Sequence, residues 1–307
     1  MPRDHYISQA YLRSFSIPGN VGYVNIIRKS DLKKLDSIPI NTICCPNHWS
    51  TNNYYPANPR IVEDYLEHFE PEWLNCIEKI ETGNFNNQLK STIAGYLAFL
   101  RVYTPTAARL GQNQLAEIIK QTATLIEQKE LLNPNSKYKD AIEKIREAGG
   151  ITVDVDRDFA KALGISNLDK MRQKLIGYPW LILINKSATA FITSDNPVCL
   201  KYWEGNPYCD FYCPLTPRTA LFIHPTHNEV KESDDMRLIK DDKIGELNSL
   251  VVKCAEENVI FNEVPGIEAL VREYQKWRME MVTTSFHNES DVIILTQQRP
   301  VDCRKGK

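Results

Sequence analysis

In DHYISQAYLRSF, near the start of the chain, Ile7, Tyr11 and Phe15 recur every fourth position, and Pro18-Gly19 closes the run. This spacing predicts a short helix over 4–16 with Asp4 as its N-cap. Residues 22–40, GYVNIIRKSDLKKLDSIPI, predict a β-hairpin around Lys29-Ser30-Asp31. The stretch 44–59 is dense in turn formers and predicts a loop. Ile61, Tyr65, Phe69, Trp73, Cys76, Ile77 and Ile80 then fit helical spacing over 60–82. One or two long helices follow over 86–132. They divide at Thr104-Pro105-Thr106, because proline removes a backbone donor and crowds the preceding turn. A helix near 136–148 stops at Gly149-Gly150, and two short ones are expected near 156–163 and 167–175.

The pattern changes at 178. WLILINK, TAFITS, TALFIHP and NVIFNE are short runs of β-branched and aromatic residues separated by turn formers, and they predict strands. Residues 241–257 and about 265–281 are helical in pattern, and the tail 300–307 is expected to fray. Helix-rich and strand-rich stretches are segregated, so the predicted class is α+β. The expectation is one domain over 1–307, its helix-rich N-terminal two-thirds packed on a small, mainly antiparallel sheet. The helical part covers about 60–176 and the sheet-forming parts about 20–40 and 178–262.

Composition narrows the picture only slightly. The 307 residues carry a net charge of −2, which gives no general attraction to nucleic acid or anionic lipid. No run reaches the roughly 18 apolar residues of a membrane span. The start, Met-Pro-Arg-Asp-His, has no apolar export core, so the expected location is cytoplasmic, with the eight cysteines reduced. Cys209, Cys213, His224 and His227 form a C-x3-C…H-x2-H pattern. Its histidine spacing is short for zinc, and ordinary thiols and loop histidines are the expectation. Phosphate-loop, dinucleotide-binding, HExxH and GxSxG motifs are absent, which disfavours the chemistries they serve.

Candidate chemistry lies in four stretches. On the predicted first helix, His5 and Gln9 share a face away from Ile7, Tyr11 and Phe15. Such a face is ordinarily solvated, but it allows both residues to address one partner. FITSDNPV at 191–198 runs from a strand into Ser194-Asp195-Asn196-Pro197, a tight turn by composition, at a strand end where Asp195 could ligate a metal or act as a base. Glu63, Glu67 and Glu70 fall on one helical face, which is usually a solvated acidic stripe or a cation site. Arg101 follows an apolar run, so partial burial is expected, with Glu63 or Glu70 as its partner.

Taken together, HYISQAYLRSF, the E-x6-E of Glu63 and Glu70, FLRVYTPTAAR at 99–109, FITSDNPV, PLTP at 214–217 and ELN at 246–248 resemble a widespread microbial family of unknown function. The resemblance covers about residues 1–262. It implies that His5, Gln9, Glu63, Arg101, Thr193, Ser194, Asp195 and Asn248 are the polar residues of the motifs, and it brings no known reaction. Two expectations follow from these residues. One is a nuclease-like or nucleotide-directed hydrolase of a defence or toxin system. In it His5 is the acid/base, Asp195 and Glu63 hold Mg²⁺ or orient His5, Arg101 offsets developing charge, and Gln9 and Ser194 complete the site. The other is a non-catalytic sensor or interaction module in which the same residues form a structural hydrogen-bond network.

Overall fold

The computed structural model describes residues 4–203, 209–225, 235–287 and 292–304, with side chains unassigned over 284–295. The hairpin forms as expected, β1 (Tyr23–Arg28) against β2 (Lys34–Pro39). Helices then run as α2 (Ile61–Glu67), α3 (Trp73–Glu81), α4 (Asn87–Tyr103), α5 (Pro105–Leu132), α6 (Lys139–Glu147), α7 (Arg157–Ser166) and α8 (Leu168–Gly177). Thr104 caps α5 by accepting from the Ala107 amide, and Pro105 takes the first helical position, where a missing N–H costs nothing. Gly149 and Gly150 follow the end of α6 with left-handed backbone, φ +95° and +84°, which stops that helix.

Four expectations need correction. The first helix, α1 (Gln9–Arg13), is only five residues long, and its N-cap is Ser8, whose Oγ accepts from the Tyr11 amide at 3.2 Å. Asp4 lies outside it, because the Asp4 and Tyr6 amides donate to the Pro46 and Cys44 carbonyls at 3.3 and 3.0 Å and keep 4–6 along the loop. The helix expected over 60–82 is two helices, broken around Phe69-Glu70-Pro71. The helix expected over 265–281 stops early as α10 (Ile267–Glu273). Beyond it, β10 (Trp277–His287) pairs with β11 (Val292–Asp302) through a register that reaches Trp277 opposite Asp302. Residues 300–302 are therefore in a strand rather than frayed, and 305–307 lie outside the described residues.

The fold is α+β. One antiparallel sheet has the order β2-β1-β9-β4, with β4 (Thr193–Ser194) and β9 (Asn258–Phe261). TAFITS thus contributes two strand residues, not six. The larger sheet has the order β5-β6-β7-β3-β8, built from β3 (Trp180–Asn185), β5 (Cys199–Tyr202), β6 (Cys209–Pro214), β7 (Thr219–Ile223) and β8 (Asp235–Ile239). Only its β3–β8 pair is parallel. The strands β5, β6 and β8 were not expected. Helix α9 (Asp241–Cys254) packs its Ile244, Leu247, Val251 and Val252 into the core between these strands. Ile7, Tyr11 and Phe15 are fully buried with Trp73, Tyr96 and Phe99, so the expected anchor face is present even though the helix is short.

Candidate functional site

The polar motif residues fall into three places. The first is the turn after β4. Asp195 is 2% exposed, and its carboxylate accepts from three successive backbone amides: Glu256 at 2.9 Å, Glu257 at 2.8 Å and Asn258 at 2.8 Å. Burial pushes its carboxyl up to about 6, while those three N–H groups pull the other way. Ser194 Oγ accepts from the Asn196 amide at 3.2 Å, which closes the turn expected from Ser-Asp-Asn. The Asn196 side chain donates to the Cys254 carbonyl at 2.8 Å, and the Asn248 side chain accepts from Ile192 N–H and donates to Ala190 C=O. A side-chain amide on α9 thus satisfies peptide groups of a segment with no strand neighbour there.

The link from the N-terminus to this turn is Tyr11. Its hydroxyl shares a 2.7 Å hydrogen bond with Thr193 Oγ1 and donates to the Pro214 carbonyl at 2.7 Å. The spacing placed Tyr11 in the core and said nothing of its hydroxyl. A fully buried tyrosine needs a partner for its O–H, and that rule was the available signal.

The second place gathers His5, Glu63 and Glu70. The imidazole is partly buried; burial lowers its pKa, opposed by a hydrogen bond to the Ile40 backbone and by the charges of Glu63 and Asp4. His5 Nε2 is buried without a partner. Arg60 reaches Asp4 at 3.1 Å and Glu63 at 3.7 Å. Burial and the nearby Glu63 charge push the Glu70 carboxyl up to about 7, against a hydrogen bond from Ser8. Ser8 in turn donates its amide to Tyr96 and accepts from the Tyr96 hydroxyl at 2.8 Å. Gly95 makes this approach possible. A Cβ there would meet the Phe69 ring at 2.4 Å, so the turn carrying Glu70 can lie against α4 only where a side chain is missing. Gln9 is partly buried on α1 and does not share a helix face with His5, which precedes that helix.

Arg101 is the third place. Its guanidinium donates to the Gln298 side chain, not to Glu63 or Glu70. Helical geometry gives the reason: Tyr96, Phe99 and Tyr103 stack along one side of α4, while Leu97 and Arg101, four apart, line a different one. Arg109, eight residues on, is paired: it is bidentate to Glu256 at 2.8 Å and reaches Glu280 at 3.2 Å.

Among the described residues no group of three or more His, Cys, Asp and Glu could hold a metal ion, and no helix is long and apolar enough to cross a membrane. In the zinc-like pattern, Cys213 is buried, His224 Nδ1 lies 3.0 Å from Asp210, and His227 is outside the described residues.

The family model described as "Protein of unknown function (DUF4238)" matches residues 3–264. The chain belongs to this family. DUF4238 brings no reaction with it, and neither a curated protein nor a solved structure matches the chain. The DUF4238 match includes all three places, but it ends before β10 and β11, so Gln298 and Glu280, which bind Arg101 and Arg109, lie beyond it.

Proposed function

We propose that the chain is a non-catalytic sensor or interaction module, and that the polar residues of its motifs fix the N-terminal segment and α9 onto the two sheets. The observation that carries this reading is the saturation of Asp195. A metal ligand or general base needs a free lone pair aimed at a ligand. Both oxygens of Asp195 instead bind backbone N–H groups, under nearly complete burial. Tyr11, Thr193, Asn196 and Asn248 are likewise spent on partners within the fold. The satisfied network around Asp195 specifies one arrangement of the elements and requires no reaction.

A specific observation favours the hydrolase as a second reading. His5 has a buried, unpartnered Nε2 beside Glu63, and Glu70 nearby titrates close to neutrality. In this reading neutral His5 takes the proton of an attacking water, Glu63 orients the ring, and protonated Glu70 supplies a proton to the leaving oxygen of a nucleotide or phosphodiester. Turnover of bis(p-nitrophenyl) phosphate and of nucleotides, with and without Mg²⁺, separates the two. No turnover is expected. Turnover that a folded His5→Ala variant abolishes would replace the first reading with the second.

A further inference from the structure

A groove of about 710 Å³ lies on the Arg101 side of α4, within the size range of small-molecule sites. Its apolar wall includes Leu115, Leu163, Met171 and Phe211. Arg101 and Lys174 also line it, and among the described residues no Asp or Glu does. Arg101 is mostly buried, yet its partner is the neutral Gln298 side chain, and among the described residues no carboxylate lies within ion-pair reach of it. A guanidinium withdrawn from water ordinarily demands an anion. Arg109, on the next helix, meets that demand with Glu256 and Glu280, whereas Arg101 is held by a neutral amide.

We propose that this groove binds a small amphiphilic anion, with its carboxylate or phosphate head on Arg101 and Lys174 and its apolar body along Leu115, Leu163, Met171 and Phe211. Arg101 offers the planar fork that matches either head in a bidentate pair. Gln298 holds that fork in place and is itself fixed by strand pairing, and the Tyr202 hydroxyl donates to its carbonyl at 2.6 Å. Gln298 and Gln297 reach the groove from β11, beyond the residues matched by the family, so this wall is supplied by the chain's own C-terminal hairpin. The proposal stands apart from the choice between module and hydrolase, since the groove contains neither His5 nor Asp195.

Calorimetric titration of the full chain with decanoate, decyl phosphate and uncharged decanol tests it. One-site saturable binding of at least one anion is expected, with none for decanol; which anion binds identifies the head group. Lys174→Glu, at an exposed position that should preserve the fold, is expected to weaken the anion by about tenfold or more, and Arg101→Gln to weaken it further. Absence of saturable binding by both anions would overturn the proposal. So would decanol binding as tightly as the anions, or affinity unchanged in Lys174→Glu.

Discussion

Tyr11 shows how one side chain can serve two ends of the chain. Its ring packs on Phe15, Trp73 and Tyr96, while its hydroxyl holds Thr193 and the Pro214 carbonyl about two hundred residues away. Tyr11→Phe keeps the ring and leaves two buried groups short of a partner, so an unfolding free energy lower by about 1–3 kcal/mol is expected from denaturant titration. Glu70 gives a pH signature. Its folded pKa, raised to about 7 from the ordinary 4.5, means that the folded state favours the protonated acid. That contribution is complete below about 4.5 and is lost as pH rises through about 7. Glu70→Gln mimics the neutral acid. It is expected to match the native chain at pH 4 and to be more stable at pH 8, by about 1–3 kcal/mol, when unfolding is followed at both values.

At the scale of elements, the helices from α4 to α9 could be read from local signals. Pro105 and Gly149-Gly150 sit at the breaks those residues predict. The apolar period of 60–82 hid a break because Phe69 and Trp73 remain buried on either side of it, so the period survives although the backbone turns. The C-terminal hairpin was missed for a different reason. EALVREYQKWRME keeps helical spacing past Glu273, and only pairing with 292–302, distant in sequence, turns Trp277 onward into a strand. Gly95 belongs to this scale because it sets how closely the 68–70 turn approaches α4. Gly95→Ala adds helix propensity worth about 1 kcal/mol but drives a Cβ into the Phe69 ring. Overpacking of this kind costs about 1–3 kcal/mol, so a lower Tm in calorimetry is expected.

For the molecule as a whole, residues far apart in sequence determine which polar groups meet. The motifs marked His5, Gln9, Glu63, Arg101, Ser194 and Asp195 as a set, and nothing in their local spacing could reveal that α4 sends Arg101 to a different side from Glu70. Their separation follows from helix phase and from sheet partners, which only the folded chain displays. The ties between Tyr11 and β4, Lys29 and the Val252 and Ala255 carbonyls, and Arg109 and Glu280 join the N-terminal, central and C-terminal segments. We therefore propose that residues 1–307 form one cooperative unit, and a single unfolding transition with coincident fluorescence and circular-dichroism curves is expected. The most direct measurement of all is the stability of Asp195→Asn. The substitution preserves shape but sets an NH₂ group against backbone N–H donors. If the motif carboxylate is structural, denaturant unfolding will show a loss of about 2–3 kcal/mol. Unchanged stability in that variant would contradict the structural role and return Asp195 to the list of residues free to bind a ligand.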